Sequence, residues 1–152
     1  MSFCYTANQD AQAISTAVDL FHITIADDVP ILIHWVELGN TTDLGDAAEE
    51  VLRFGIYSGV TGGGGGTALT EVALNDRAPT VATAVVGQGT ASTGGTLRDV
   101  FYWNIRQAGP IYVPTPELRV RLGQGSSAAA IRLLAAPADS VTISAQLKWE
   151  EL

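Results

Sequence analysis

Few side chains in this 152-residue sequence are of the types that bind metal ions or act as nucleophiles. Its two histidines are His22 and His34, and its one cysteine is Cys4. Two histidines without a carboxylate at a fixed spacing make a weak zinc site, and a lone cysteine forms no intramolecular disulfide. Cys4 also has no base near it in the sequence that would generate a thiolate. We predict packing roles for all three, with either histidine able to act as a pH-sensitive interface group.

Four carboxylates lie close together in the sequence, at Asp43, Asp46, Glu49 and Glu50. Their spacing differs from the D-x-[DN]-x-[DN]-G pattern of an EF-hand calcium loop. Loop carboxylates and backbone oxygens could still hold calcium, so that alternative stays open. The simpler interpretation is a solvated loop that leads into one helical turn, where the helix dipole favours negative charge.

A run of glycines from Gly62 to Gly66 raises the question of phosphate binding. A P-loop needs a lysine after its last glycine to neutralise phosphate charge, but here Thr67 and Ala68 follow. The dinucleotide-binding fingerprint needs a helix after the glycines, and none is predicted. We therefore interpret the run as part of a flexible loop between strands.

Hydrolytic chemistry has no distinctive motif in this chain. The G-x-S-x-G elbow of serine hydrolases is absent, and nothing marks Glu37 and Glu117 as a glycosidase pair. The sequence therefore predicts no catalytic, cofactor-binding or metal-binding residues, and a protein that is not an enzyme.

The charge balance excludes other classes of partner. The formal net charge is −8, and Lys148 is the only lysine. An acidic surface repels nucleic-acid phosphates and anionic lipids, so we expect neither nucleic-acid nor membrane binding. No signal peptide or apolar stretch long enough to cross a membrane is recognisable. Charged residues make up only 16% of the chain, which predicts that part of the surface is covered by a partner or by further copies.

The spacing of apolar residues predicts strands almost throughout. Alternating or continuously apolar runs, separated by turn residues, occupy residues 21–25, 31–38, 52–57, 67–74, 80–86, 101–106, 111–113, 118–122, 128–135 and 141–150. The run at 31–38 is so apolar that we expect it to be covered on both faces. Trp103 is expected in the core. Such a series of short strands without long helices predicts an all-β fold: an antiparallel β-sandwich, jelly-roll-like, with eight to ten strands.

The domain organisation follows from this pattern. Residues 18–152 are expected to form a single β-sandwich domain. Residues 1–17 lie outside the strand pattern, so we expect an N-terminal arm, either partly helical or extended over a neighbouring molecule.

Four segments carry a resemblance to a known family: FHITIADDVPILIHWVEL, TGGGGGTALTEVALN, FYWNIRQAGPIYVPTPELRV and LLAAPADSVTISAQLKWEE. Together they resemble small virion structural proteins of tailed bacteriophages, over nearly the whole chain beyond residue 17. The glycine-rich GGTALT loop, the N-I-R-x-A-G strand end and the terminal W-E-E are the motifs concerned.

The resemblance implies a capsid decoration, or cement, protein. Such a protein is made in the host cytoplasm, binds the major capsid protein on the capsid exterior and stabilises the head as a homotrimer. It brings no catalytic residues and no cofactor. The arm at residues 1–17 is then the candidate for capsid contact.

Two alternatives stay open. A receptor- or carbohydrate-binding jelly roll of a phage fibre or tail would use exposed aromatic and amide side chains, for which Tyr57, Tyr102, Asn104 and Tyr112 are candidates. A cupin-like enzyme would need more histidines on facing strands than this chain has.

Overall fold

Two antiparallel sheets of six strands each make up the fold in the computed structural model, which describes residues 2–26, 28–41, 50–63, 65–76, 78–123 and 128–152. The strands are β1 Phe3–Ile14, β2 Val18–Thr24, β3 Ile31–Asn40, β4 Val51–Ser58, β5 Thr67–Ala68, β6 Val72–Ala73, β7 Ala84–Thr90, β8 Thr96–Asn104, β9 Ile111–Tyr112, β10 Arg121–Leu122, β11 Ala128–Leu133 and β12 Val141–Glu151. A 3-10 turn spans Pro116–Leu118. The prediction of an all-β antiparallel sandwich is therefore confirmed.

The connections between strands follow a jelly roll. Sheet A has the order β10-β3-β12-β1-β6, with β9 also paired to β3, and sheet B has the order β5-β7-β2-β11-β4-β8. The chain alternates between the sheets from β1 to β4. From β8 to β12 it changes sheet at every step except between β9 and β10, which both belong to sheet A, so that each sheet interleaves strands from both halves of the sequence. The twelve strands exceed the eight to ten predicted because β5, β6, β9 and β10 have only two residues each.

Apolar side chains from the two sheets meet in one core. Along β12 every second residue is buried, from Val141 to Glu151. Trp149 is fully buried and stacks on Tyr5 of β1 at 5.9 Å between ring centroids. Trp103 is also buried, as predicted. The alternation of β12 fixes its register, because a slip by one residue would move Trp149 to the outer face.

The prediction of an N-terminal arm is wrong for residues 3–14, which form the longest strand among the described residues. β1 lies inside sheet A between β12 and β6, with Phe3 opposite Glu151 and Ile14 opposite Val141. A bulge between Gln9 and Gln12 interrupts its pairing, and Ala11 adopts φ 45° there. Because most residues of β1 are polar or small, its sequence does not show the alternation of apolar and polar residues that predicts a strand.

The strand at residues 31–38 is covered on one face only, which corrects the expectation of two covered faces. Its buried residues alternate with half-buried ones up to a bulge, where the register with β12 skips His34. Trp35 and Glu37 therefore lie half-buried on the outer face of sheet A. The half-buried positions of the run are Leu32, His34, Trp35 and Glu37, and three of these four side chains are aromatic or ionisable.

Several strand boundaries also differ from the predictions. The run at 67–74 contains two short strands, β5 and β6, instead of one. β7 continues to Thr90, into the region predicted as a loop. The run at 118–122 begins in the 3-10 turn, because Pro114 and Pro116 cannot donate hydrogen bonds to a ladder. Among the described residues, no helix is long and apolar enough to cross a membrane.

Candidate functional site

Sheet B carries a cluster of polar side chains on its outer face, which we call the Asp19 cluster: Asp19, His22, Tyr57, Ser92 and Arg132. The register between β2 and β11 skips Leu20, so that Asp19 lies opposite Arg132. His22 and Tyr57 both lie opposite Ala130 of β11, from its two sides. Three neighbouring strands, together with the loop after β7 that holds Ser92, thus bring these side chains to one place on the sheet.

Asp19 is fully buried, and each of its carboxylate oxygens has partners. Arg132 donates from Nε to Oδ1 at 3.2 Å, and the backbone N–H of Ser92 donates to Oδ2 at 3.1 Å. Nδ1 of His22 lies 3.2 Å from Oδ2. A buried carboxylate needs partners of this kind, because removing it from water costs several kcal/mol.

Arg132 extends the cluster in two further directions. Its Nη2 donates to Oγ of Ser92 at 2.6 Å, and its guanidinium lies 4.4 Å from the centre of the Tyr57 ring. The Ser92 hydroxyl is therefore bound to the guanidinium, and the Asp–His pair has no hydroxyl nucleophile among its described contacts. The arrangement joins strands and loops rather than assembling a catalytic triad.

Gly63, from the glycine run, takes part in this cluster. Gly63 has φ +78°, and a Cβ atom there would lie 2.8 Å from Cβ of Ser92 and 3.0 Å from Oδ2 of Asp19. Only glycine fits this approach of the loop to the carboxylate. The paired backbone groups of Thr61 and Thr93 fasten the same two loops to each other.

A second polar cluster lies on the outer face of sheet A, near residue 34. Nε2 of His34 is 2.7 Å from Oε2 of Glu150. The hydrogen bond from Ser2 and then the His34 contact hold the pKa of Glu150 below its ordinary value, although burial opposes this. Burial, followed by the charge of Glu150, raises the pKa of the Cys4 thiol. Cys4 is thus further from a thiolate than an ordinary cysteine.

We expect Glu150→Gln to lower the free energy of unfolding at neutral pH by about 1 kcal/mol, because the variant loses charge-assisted hydrogen bonds. A lowered folded-state pKa stabilises the fold above the ordinary value of 4.5 and loses that effect as the pH falls through the folded value. The difference between variant and wild type should therefore shrink in acid. Urea unfolding over a pH series measures it, with Glu117→Gln as an exposed control. A difference that is constant with pH would contradict the assignment.

An open groove of about 390 Å³ crosses the three central strands of sheet A. We call it the acidic groove; its polar lining residues are Asn8, Gln9, Asp10, Glu37, Ser144 and Gln146. Gln146 donates to Oδ1 of Asn8 at 2.8 Å, and Ser144 donates to Oδ1 of Asp10 at 2.7 Å. Trp35 borders it and donates from Nε1 to Oε2 of Glu37 at 3.2 Å. The groove is thus rich in hydrogen-bond acceptors.

Most of the exposed apolar side chains belong to β4, β8 and the segment after β8. Nine large ones are exposed among the described residues: Val51, Val72, Leu74, Leu97, Tyr102, Ile111, Val113, Leu118 and Leu152. Six of these belong to β4, β8 or residues 111–118. Tyr112 joins these elements, since it stacks on Phe101 at 5.5 Å and donates to Asp99 at 2.6 Å. Burial and that hydrogen bond raise the pKa of Tyr112.

The structure does not bring together the aromatic patch that a carbohydrate-binding alternative would use. Tyr57 lies opposite Leu97 and Tyr102 lies opposite Arg53, so the two rings are about four residues apart along β4, or roughly 13 Å. Tyr112 is half-buried beneath β8. Tyr102 alone of these rings is strongly exposed, at 60%.

The remaining sequence candidates divide into two groups. Asp43, Asp46 and Glu49 lie outside the described residues, as does the helical turn expected near them. Glu50 is described, and both of its carboxylate oxygens accept the backbone N–H of Ala138, at 3.0 and 2.9 Å. No group of three or more possible metal ligands occurs within the ranges that the structure describes.

Comparisons of the chain with protein-family models, with curated proteins and with solved structures find no match.

Proposed function

We propose that this protein is a structural component of a virus particle that decorates the capsid exterior, binds the major capsid protein and stabilises the head as a homotrimer. The observation that carries the proposal is a β-sandwich with six of its nine large exposed apolar side chains, counted over the described residues, in β4, β8 or residues 111–118. A monomer in isolation gains nothing from such a surface, and contiguous apolar patches mark sites of protein contact.

The segment at residues 110–118 is the best candidate for capsid contact. Val113 is 53% exposed and Leu118 is 70% exposed. Pro114 and Pro116 restrict the backbone beside them, so little conformational freedom is lost when the segment binds. Repetition of the contact over the capsid gives high avidity even where a single contact is weak.

Leu118→Asp is expected to weaken binding to the capsid by at least about tenfold, because it places a carboxylate in an apolar contact. Co-sedimentation with undecorated capsids of the virus that encodes the protein measures this. Leu74→Asp is the matched control, since Leu74 is 56% exposed beside β6, at the other edge of sheet A. Failure of the wild-type protein to bind such capsids would refute the proposed function.

A further inference from the structure

We infer that copies of this protein associate head to tail, with the exposed Arg53 of one copy seated in the acidic groove of the next. The inference rests on the proposed homotrimer and specifies the surfaces that form it. Two different surfaces on one chain, each complementary to the other, generate a closed ring when the rotation between copies closes, and an open row of copies when it does not.

The first surface surrounds Arg53 on the outer face of β4 and β8. Arg53 is exposed, and its guanidinium has no hydrogen bond, ion pair or ring contact within the described residues. Tyr102 lies directly opposite it, and Val51 is on the same face two residues earlier, exposed at 60% and 62%. An arginine between an exposed tyrosine and an aliphatic side chain has the composition of an interface hot spot.

The second surface is the acidic groove, which has unused acceptors. Oδ2 of Asp10 and Oε1 of Glu37 accept no hydrogen bond within the part of the chain that the structure describes, while the other oxygen of each carboxylate is bound. Two carboxylates on an open groove attract a cation that carries several donors. A guanidinium supplies five N–H donors in a planar fork, which suits carboxylates better than an ammonium does.

The surroundings of the groove match the surroundings of Arg53. Ile111 lies opposite Glu37 on the outer face of sheet A and is 54% exposed. Trp35 is half-buried on the other side of Glu37 along β3, and Lys148 lies 4.7 Å from the centre of its ring. Each surface therefore has apolar neighbours around charges of opposite sign, and Lys148 adds a cation beside the groove.

The geometry also favours a contact between unlike surfaces over a symmetric one. The Arg53 surface is on the outer face of sheet B and the groove is on the outer face of sheet A. Two copies that met through their Arg53 surfaces would place like charges together, and two acidic grooves would repel each other as well. Opposite faces of the sandwich are thus the complementary pair.

Charge reversal tests this arrangement, with size-exclusion chromatography and light scattering as the readout. We expect wild type to be a trimer, and Arg53→Glu and Asp10→Arg each to weaken association by about 100-fold, leaving monomers. The double variant Arg53→Glu/Asp10→Arg restores the opposite charges and should recover the trimer. Arg121→Glu and Asp76→Arg carry the same charge changes at exposed positions elsewhere and should leave it intact.

Circular dichroism of each variant establishes that it is folded. A monomeric wild type, a wild type that forms an open-ended series of larger assemblies, single variants that remain trimeric, or a double variant that stays monomeric would each overturn the inference. Capsid co-sedimentation is a separate readout. If the wild type binds capsids but neither charge reversal changes the oligomeric state, the proposed function stands and only the head-to-tail contact is refuted.

Discussion

Removal of residues 2–14 is expected to leave a chain that does not fold. These residues supply β1, and without it the central strand β12 loses its partner over ten residue pairs. Tyr5 and Ile14 are fully buried, and their loss alone costs about 6 kcal/mol. That figure is comparable with the whole stability of a typical domain, roughly 5–15 kcal/mol. Far-UV and near-UV circular dichroism would report the loss of structure.

Point substitutions along β1 provide the matched comparison. Tyr5→Ala removes a buried ring and should lower the free energy of unfolding by about 3–5 kcal/mol, whereas the exposed Asn8→Ala should change it by less than about 1 kcal/mol. A loosely attached arm would tolerate both substitutions equally. An unchanged thermal transition in the truncated chain would show that β1 is dispensable to the sandwich.

Replacing Asp19 with alanine is expected to lower the free energy of unfolding by about 3–5 kcal/mol. The substitution leaves the guanidinium of Arg132 without its counter-charge, and that side chain is only 13% exposed. It also leaves the backbone N–H of Ser92 without an acceptor. Asp76→Ala, at an exposed carboxylate, should stay within about 0.5 kcal/mol of wild type.

A double-mutant cycle separates the charge effect from general damage. Arg132→Met removes the cation, so Asp19→Ala should cost at least about 1.5 kcal/mol less in that background than in wild type. Urea unfolding of the four proteins gives the coupling energy. Additive effects of the two substitutions would mean that Asp19 and Arg132 do not interact in solution.

The sheets could be predicted where one face is uniformly apolar. Ile143, Leu147 and Trp149 alternate with polar residues, and their strand is found with nearly the predicted bounds. The same pattern does not predict β1, because its inward positions include Gln9, whose buried amide has no hydrogen-bond partner among the described residues. A strand with a polar residue turned towards the core looks like a loop when burial is judged from hydrophobicity.

The polar sites could not be predicted, because they are assembled by pairings between distant parts of the chain. Asp19 carries one local signal, a charge between Val18 and Leu20, but its partner Arg132 follows 113 residues later. Asp10 and Glu37 face one groove only because β12 separates β1 from β3 in the sheet. Strand order in a jelly roll is not encoded in local spacing, so neither cluster is visible from single segments.

The pairing of β1 with β12 has a consequence for synthesis on the ribosome. Phe3 is among the first of the described residues to be made, and its strand partner Glu151 is among the last. The nascent chain therefore carries β1 without its partner β12 while all the intervening strands are made, and loop closure over such a separation slows folding. We expect sheet A to form only after β12 has left the exit tunnel, so a stalled or shortened transcript would yield an aggregation-prone product instead of a partial sandwich.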